Sequence, residues 1–401
     1  MDEKLKFVTL ARTGRFTLSE LCRDHGISRK TGHKYLARYA ESGATGLQER
    51  SRRPKSSPAS TDAAVEALIV KERRGHPSWG PKKLWVILQR DHGIEQPPAR
   101  STIGLILKRH GLSQPRGRAP GLYRVACEHL TEPTRPNEVW TVDFKGWFLC
   151  GDRQRCDPLT VCDRFSRYVI ACHACPNQQY ARTRRVFAQM QRYHGLPDII
   201  RVDNGAPFAS VAWGGLSRLS VWWIEHGIEV EFLTPSSPQE NGSHERMHRD
   251  LKAEATRPPS ANLSAQQKRF QRWRYEYNHI RPHEALDMLT PADVYRPSAR
   301  RLGEKVKITY PHDYVVKTVS DSGHISHEGH AYYLGDIFAG CRVGLFINEE
   351  EVIQLHYANL HLGNLTLNDG ADPFRPAAYI TPPHRKPSTP PKSKKRTTRK
   401  V

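Results

Sequence analysis

The chain has 401 residues, with 62 Lys and Arg against 41 Asp and Glu, a formal charge of +21. A hydrophobic content of 37% is enough for several cores, so wholesale disorder is excluded, and the length fits two to four domains. Such a charge points to a polyanionic partner, nucleic acid before membrane, and no apolar run of spanning length or secretory-signal core is present.

The charge is unevenly placed. Residues 1–125 carry 25 basic and 11 acidic side chains, and 381–401 carry eight basic and none acidic, which leaves 126–380 at −1. Residues 1–50 read as a helix-turn-helix. Leu18 to Asp24 has amphipathic spacing, His25-Gly26-Ile27 forms a turn in which Gly26 takes positive φ, and Ser28 caps a helix from Arg29 to Tyr39. Arg29, Lys30, Thr31, His33 and Lys34 lie on the exposed part of that helix and are candidate DNA contacts. Residues 42–60 are rich in Ser, Pro, Gly and Arg and read as a linker.

Residues 51–125 hold a second helical region and a basic connector. Pro81 opens a helix to Arg90, and Thr102 to His110 forms another that ends at Gly111. Lys82, Lys83, Lys108 and Arg109 are its candidate DNA contacts.

From 130 to 300 the pattern becomes α/β. Strands are expected at Val139–Phe144, Leu159–Asp163, Tyr168–His173, Ile199–Val202 and Val230–Leu233. Helices are expected at Arg182–Tyr193, Gly215–His226, Glu240 to about Glu254 and Gln266–Asn278. Residues 303–370 alternate in short runs (Lys305–Thr309, Tyr314–Ser320, Ala331–Leu334, Arg342–Ile347, Val352–His356), which fits a small β-barrel. Residues 376–401 read as a basic disordered tail that tethers phosphates non-specifically. The fold class is therefore multidomain: an all-α N-terminal region, a central α/β core with a mixed sheet, a small barrel and a tail.

Three carboxylates stand out. Asp143 lies inside an apolar strand, Asp203 ends another, and Glu245 follows a Pro/Gly-rich turn at the start of a helix. A carboxylate in an apolar strand is costly unless paired, and convergence on hard divalent cations removes that cost. Such a trio holds two Mg²⁺ (or Mn²⁺) ions about 3.5–4 Å apart for in-line phosphoryl transfer. Glu245, Arg249 and Lys252 are spaced i, i+4, i+7, so one helix face sets a metal ligand beside two phosphate-binding cations. An ordinary surface Glu–Arg pair is the plainer alternative.

The stretches Trp140-Thr-Val-Asp143-Phe-Lys-Gly146, Val202-Asp-Asn-Gly-Ala-Pro-Phe208 and Pro238-Gln-Glu-Asn-Gly-Ser-His-Glu-Arg246 resemble the three acidic motifs of the retroviral-integrase-type core. Tyr277-Asn-His-Ile-Arg-Pro-His-Glu-Ala-Leu286 and Thr290-Pro-Ala-Asp-Val-Tyr295 are similar to the closing segment of bacterial insertion-sequence transposases with that core. The resemblance extends through the N-terminal motifs and covers 1 to about 367. It implies an RNase H-like fold, with Asp143, Asp203 and Glu245 as DDE catalytic metal ligands. It also implies double-stranded DNA partners (transposon ends and target), cleavage to free 3′-OH ends, strand transfer, and homo-oligomeric assembly on DNA. A cytoplasmic, nucleoid-associated location follows. The 41 residues between Asp203 and Glu245 make that interval longer than usual for the core, with the excess expected in Trp213–Trp223. Glu240 competes with Glu245, but the motif's final Glu is Glu245.

Other polar residues read as structural. Asp163 fits a turn paired with Ser166 or Arg167. Five cysteines lie between 150 and 175; a Cys₄ zinc site is conceivable, but their strand-like setting favours buried thiols. His279, His283, Glu284 and the Trp273/Tyr277 stripe fit the chain's return over the core. Two further readings share these features: a repressor with a decayed core, and a phage-type recombinase.

Overall fold

In the computed structural model the described residues are 2–49, 61–113, 130–210, 212–234, 238–367 and 378–381. The connector at 114–129, most of the 42–60 linker and the tail beyond 381 lie outside them. The chain divides into two compact units, 1–62 and 63–401.

The first unit contains helices α1 (Asp2–Arg12), α2 (Leu18–Asp24) and α3 (Arg29–Ser42), then a 3₁₀ turn, Gly43–Leu47. Its core is Phe7, Val8, Leu21, Cys22 and Leu47. Thr17 and Glu20 form a reciprocal capping box on α2, and Ser28 accepts the Thr31 N–H at 3.2 Å to start α3. A Cβ on Gly32 would lie 2.6 Å from Cys22 Sγ, so glycine lets α3 press on α2. The α2–turn–α3 reading is matched; α1 was not expected, and it supplies Phe7 and Val8 to close the core.

The second unit begins with α4 (Ala63–Gly75), α5 (Pro81–Arg90) and α6 (Arg100–Arg109). Ile69, Trp79, Leu84, Ile87, Ile103 and Ile106 form their shared core. The expected helix pair therefore has a third partner, α4. Arg73 fastens the bundle by donating to the Trp79 and Leu112 carbonyls.

The central sheet has strands β1 (Val139–Phe144), β2 (Phe148–Leu149), β3 (Arg155–Asp163), β4 (Val169–Cys175), β5 (Ile199–Val202) and β6 (Glu229–Phe232). Helix α7 (Tyr180–His194) lies between β4 and β5 in sequence, and α8 (Arg218–Glu225) between β5 and β6; α9 (Gly242–Ala255), α10 (Leu263–Tyr275) and the short α11 (Pro291–Val294) follow. The spatial order is β4–β3–β1–β5–β6, with β2 extending the β1 side of β3. β4, β3 and β1 pair antiparallel, and β1, β5 and β6 pair parallel. The sheet is thus mixed, as an RNase H-like core requires.

Both faces are covered, so β3 is buried along all but its first residue. Leu159 and Val161 face the α7–α8 layer with Phe187, Met190 and Trp223. Cys156 and Cys162 face the other layer, with Met247, Leu251, Phe270 and Trp273 of α9 and α10. That alternation places the thiols.

The C-terminal strands are β7 (Val315–Thr318), β8 (His324–His327), β9 (His330–Tyr333), β10 (Arg342–Ile347), β11 (Ile353–Tyr357), β12 (Leu360–Leu367) and β13 (Ala378–Thr381). Five of them form an antiparallel sheet, β13–β12–β11–β10–β7, beside a separate β8–β9 hairpin. The expected barrel is not closed: no ladder joins β7 to β13 among the described residues. Lys305–Thr309 is not a strand either, because its backbone turns to α8, with the Val306 N–H on the Glu225 carbonyl at 2.7 Å. The expected tail start at 376 is also corrected, since Ala378–Thr381 pairs with β12. No described helix is long and apolar enough to cross a membrane.

The long Asp203–Glu245 interval also has a structural place. Trp213–Gly215 forms a 3₁₀ turn whose Gly214 meets Leu362 of β12, and Ser217 then caps α8. The added residues join the core to the C-terminal sheet.

Candidate active site

Successive residues of a strand face opposite ways, so Trp140 and Val142 enter the α7–α8 core while Thr141 and Asp143 face α9. β1 and β5 pair in parallel from Val139↔Ile199 to Thr141↔Arg201. Two residues beyond that last pair on each strand stand Asp143 and Asp203. Both therefore lie at the C-terminal ends of adjacent parallel strands. The Gly205 N–H donates to Asp203 Oδ1 at 3.2 Å, and Asn204 Nδ2 donates to the Leu233 carbonyl at 2.6 Å, which ties this loop to the end of β6. Phe144 and the buried Phe208 stack beneath the loop at 5.5 Å.

Glu245 sits in the first turn of α9. Its buried stripe is His244, Met247, His248, Leu251 and Ala255, while Glu245, Arg249 and Lys252 are exposed. The charges of Asp203 and Glu245 both reach Asp143. Burial first, then Asp203, pushes the Asp143 carboxyl up to about 7; the Phe144 N–H and Lys145 pull it back, and Glu245 adds a smaller upward push. A buried carboxyl raised by two neighbouring carboxylates belongs to a set of hard oxygen donors, the chemistry that suits Mg²⁺ or Mn²⁺.

Two histidines support this face. His244 contacts Thr141 Oγ1 at 2.8 Å through Nδ1 and Thr160 Oγ1 at 2.7 Å through Nε2. His248 contacts Thr160 Oγ1 at 2.7 Å through Nε2 and lies 3.5 Å from Asp143 Oδ2 through Nδ1. Burial pushes His244 down to about 3 and His248 lower still. Among the described residues, Asp143, His244 and His248 are the one group of His, Cys, Asp or Glu spaced to share a metal ion. Sequence reasoning passed over both histidines; the i, i+4 pair His244/His248 flanking Glu245 was the available signal.

Glu240 is buried, and its carboxylate accepts the Thr234 N–H at 2.8 Å, which closes the turn before α9. Asp163 is a turn residue that accepts from the Asn137 N–H, the Ser166 N–H and the Ser166 hydroxyl. The cysteines of β3 and β4 are buried thiols; burial pushes Cys175 up to about 12 and raises Cys156, Cys162 and Cys172 as well. His283 packs on Tyr277, and Trp273 and Tyr277 are buried.

The candidate DNA contacts differ in setting. Arg29, Lys30, His33 and Lys34 are exposed on α3, while Thr31 is half-buried with its hydroxyl on Ser28. On α6, Lys108 is exposed and Arg109 pairs with Glu66 at 2.9 Å. Lys82 pairs with Glu284 at 2.9 Å. Lys83 turns toward the core: burial and Arg281 push it down to about 8 against the pull of Asp250, Glu254 and Glu284. Around it Ser78 donates to Glu254, Arg281 pairs with Asp250 at 2.6 Å, and Arg90 donates to the Ile280 carbonyl at 2.7 Å. The Ser78 and Arg90 contacts dock the α4–α6 bundle on α9 and on the segment that follows α10.

Comparison with known proteins agrees with this architecture. Two integrase core domain models match residues 133–238 and 226–291. A helix-turn-helix domain model matches 3–55 and a homeodomain-like domain model matches 31–107. The chain is 26% identical over 241 residues to the insertion element IS407 uncharacterized 31.7 kDa protein of Burkholderia multivorans, across 59% of this chain and 82% of that one. It is 25% identical over 282 residues to the insertion element IS476 uncharacterized 39.2 kDa protein of Xanthomonas euvesicatoria, across 69% and 77%. Among solved structures, the HTLV-2 integrase catalytic core domain in complex with magnesium is similar at 16% identity and a TM-score of 0.33, over 41% of this chain and 100% of that one. The chain thus carries stretches that match helix-turn-helix and integrase core domain models, and it is similar to proteins of insertion elements.

Proposed function

We propose that the chain is a DDE transposase that binds transposon ends, frees their 3′-OH groups and joins them to target DNA. The observation that carries this reading is the meeting of Asp143 and Asp203 at adjacent strand ends, with Glu245 close enough to act on the Asp143 carboxyl. Asp143, Asp203 and Glu245 would hold two Mg²⁺ or Mn²⁺ ions, Asp143 being central because both other carboxylates reach it. When bound, such ions activate the attacking oxygen and neutralise charge on the leaving one. Arg249 and Lys252, exposed on the turns of α9 after Glu245, hold the flanking phosphates. The exposed cations of α3, together with Lys108 and Arg109 of α6, hold the duplex. The basic tail adds affinity for any sequence, and the active species is a homo-oligomer on paired ends.

Asp143→Asn, Asp203→Asn and Glu245→Gln should each lower Mg²⁺-dependent end cleavage and strand transfer by at least about a thousandfold, with affinity for the same end duplex retained. Full activity in any of the three overturns the assignment. A wild-type chain that binds its ends but joins nothing is instead a repressor with a decayed core.

A further inference from the structure

Thr160 fixes the protons of both histidines. Its hydroxyl has one hydrogen and three neighbours: the Asp143 carbonyl oxygen at 3.0 Å, His244 Nε2 at 2.7 Å and His248 Nε2 at 2.7 Å. A carbonyl oxygen only accepts, so the hydroxyl donates to it, and each Nε2 carries a hydrogen that donates to Thr160 Oγ1. His244 Nδ1 then accepts the Thr141 hydroxyl at 2.8 Å, so both of its nitrogens are used. His248 is left with a bare Nδ1 lone pair, 3.5 Å from Asp143 Oδ2.

That contact is too long for a sound hydrogen bond and sets a lone pair against a carboxylate oxygen. A cation between the two atoms relieves it fully. Two neighbouring donors of an octahedral Mg²⁺ or Mn²⁺ ion, each about 2.1 Å from it, lie about 3.0 Å apart. Asp143 Oδ2 and His248 Nδ1, 3.5 Å apart, need to close by only about half an ångström to share one.

We propose that His248 Nδ1 is a nitrogen ligand of the divalent ion held by Asp143, which makes one of the two positions a mixed nitrogen–oxygen site. The inference rests on the metal-dependent reading above and adds a ligand to it. His244 is a positioning residue that orders Thr160 rather than a ligand. An imidazole nitrogen suits Mn²⁺ better than Mg²⁺, so this position discriminates between them more than an all-carboxylate site does.

The test uses the full chain loaded with Mn²⁺ and followed by pulsed electron paramagnetic resonance, which detects a directly bound ¹⁴N nucleus without turnover. Wild-type protein should show imidazole nitrogen coupling. His248→Asn should lose it, with Mn²⁺ affinity down about tenfold or more and Mg²⁺ affinity changed less. Asp143→Asn should weaken Mn²⁺ binding itself. Mn²⁺ bound in an Asp143-dependent way without nitrogen coupling overturns the His248 ligand and leaves the DDE reading intact. Coupling that persists in His248→Asn also overturns it. Mn²⁺ binding indifferent to Asp143 overturns both. If His248→Asn fails to fold, His248→Gln makes the same comparison, and a wild-type spectrum without coupling overturns the proposal whatever the variants do.

Discussion

Single residues in this chain matter through whether their charge is matched. Arg201, one residue before the end of β5, is 1% exposed and donates to Glu231 and to the Thr131 carbonyl. Glu231 in turn accepts the Thr131 N–H at 3.1 Å. Glu231→Gln strands a buried guanidinium without its counter-charge, so it should cost about 3 kcal/mol, read as a lower urea midpoint with an unchanged slope. The three acids of the proposed site stand out in the sequence at this scale because each has an unusual local setting: an apolar strand, a strand end and a Pro/Gly-rich turn. The histidines were not, because their meaning depends on Thr160, which the sequence places more than 80 positions away and the sheet places beside Asp143. Lys83 shows the reverse problem. Its neighbour Lys82 and the chain's charge suggested open surface, yet it answers Asp250, Glu254 and Glu284 on the core.

Among elements, strand positions and capped helices were read nearly to the residue: β1, β5, α2 and α5 match their expected limits. Helix α4 was missed although Asp62 stands at its N-cap position, and the C-terminal sheet was read as closed because alternation gives strands but not which edges meet. Elements also carry the pH response. His194 ends α7, contacts the Tyr295 hydroxyl at 3.2 Å, and is pushed down to about 4 by burial and by Arg274. A histidine depressed in the folded state gives its full stability above its unfolded value of about 6.5, and that stability falls as pH drops toward 4. Through this histidine thermal midpoints should fall as pH drops below 6.5, an effect that the raised Asp143 opposes, while above about pH 8 the depressed Lys83 adds stability as pH rises toward 10.5. His194→Gln should flatten part of that slope; the other depressed histidines, His244, His248 and His283 among them, act with the same sign.

For the whole molecule, the division at residue 62 predicts two unfolding transitions. Deleting residues 1–62 should remove one of them in calorimetry and weaken duplex binding, while Asp143-dependent Mn²⁺ binding stays within about twofold. A single cluster of buried side chains runs from Trp140 and Phe187 of the core to Val343, Leu355 and Leu362 of the C-terminal sheet. The sheet should therefore melt with the core and not as a third step.

The parallel ladder between β1 and β5 has a further consequence for how such a chain can change. Asp143 and Asp203 keep a constant offset of 60 with their paired strands, from Val139↔Ile199 onward. The loop before α7 can lengthen or shorten without disturbing that pairing, although the offset then changes, since it lies outside the ladder. One residue inserted between Ile199 and Asp203 is different. It would turn the second carboxylate to the opposite side of the sheet, into the apolar layer beneath α7 and α8. Insertions are therefore tolerated by location rather than by size: a ten-residue addition before α7 is milder than a single residue in β5.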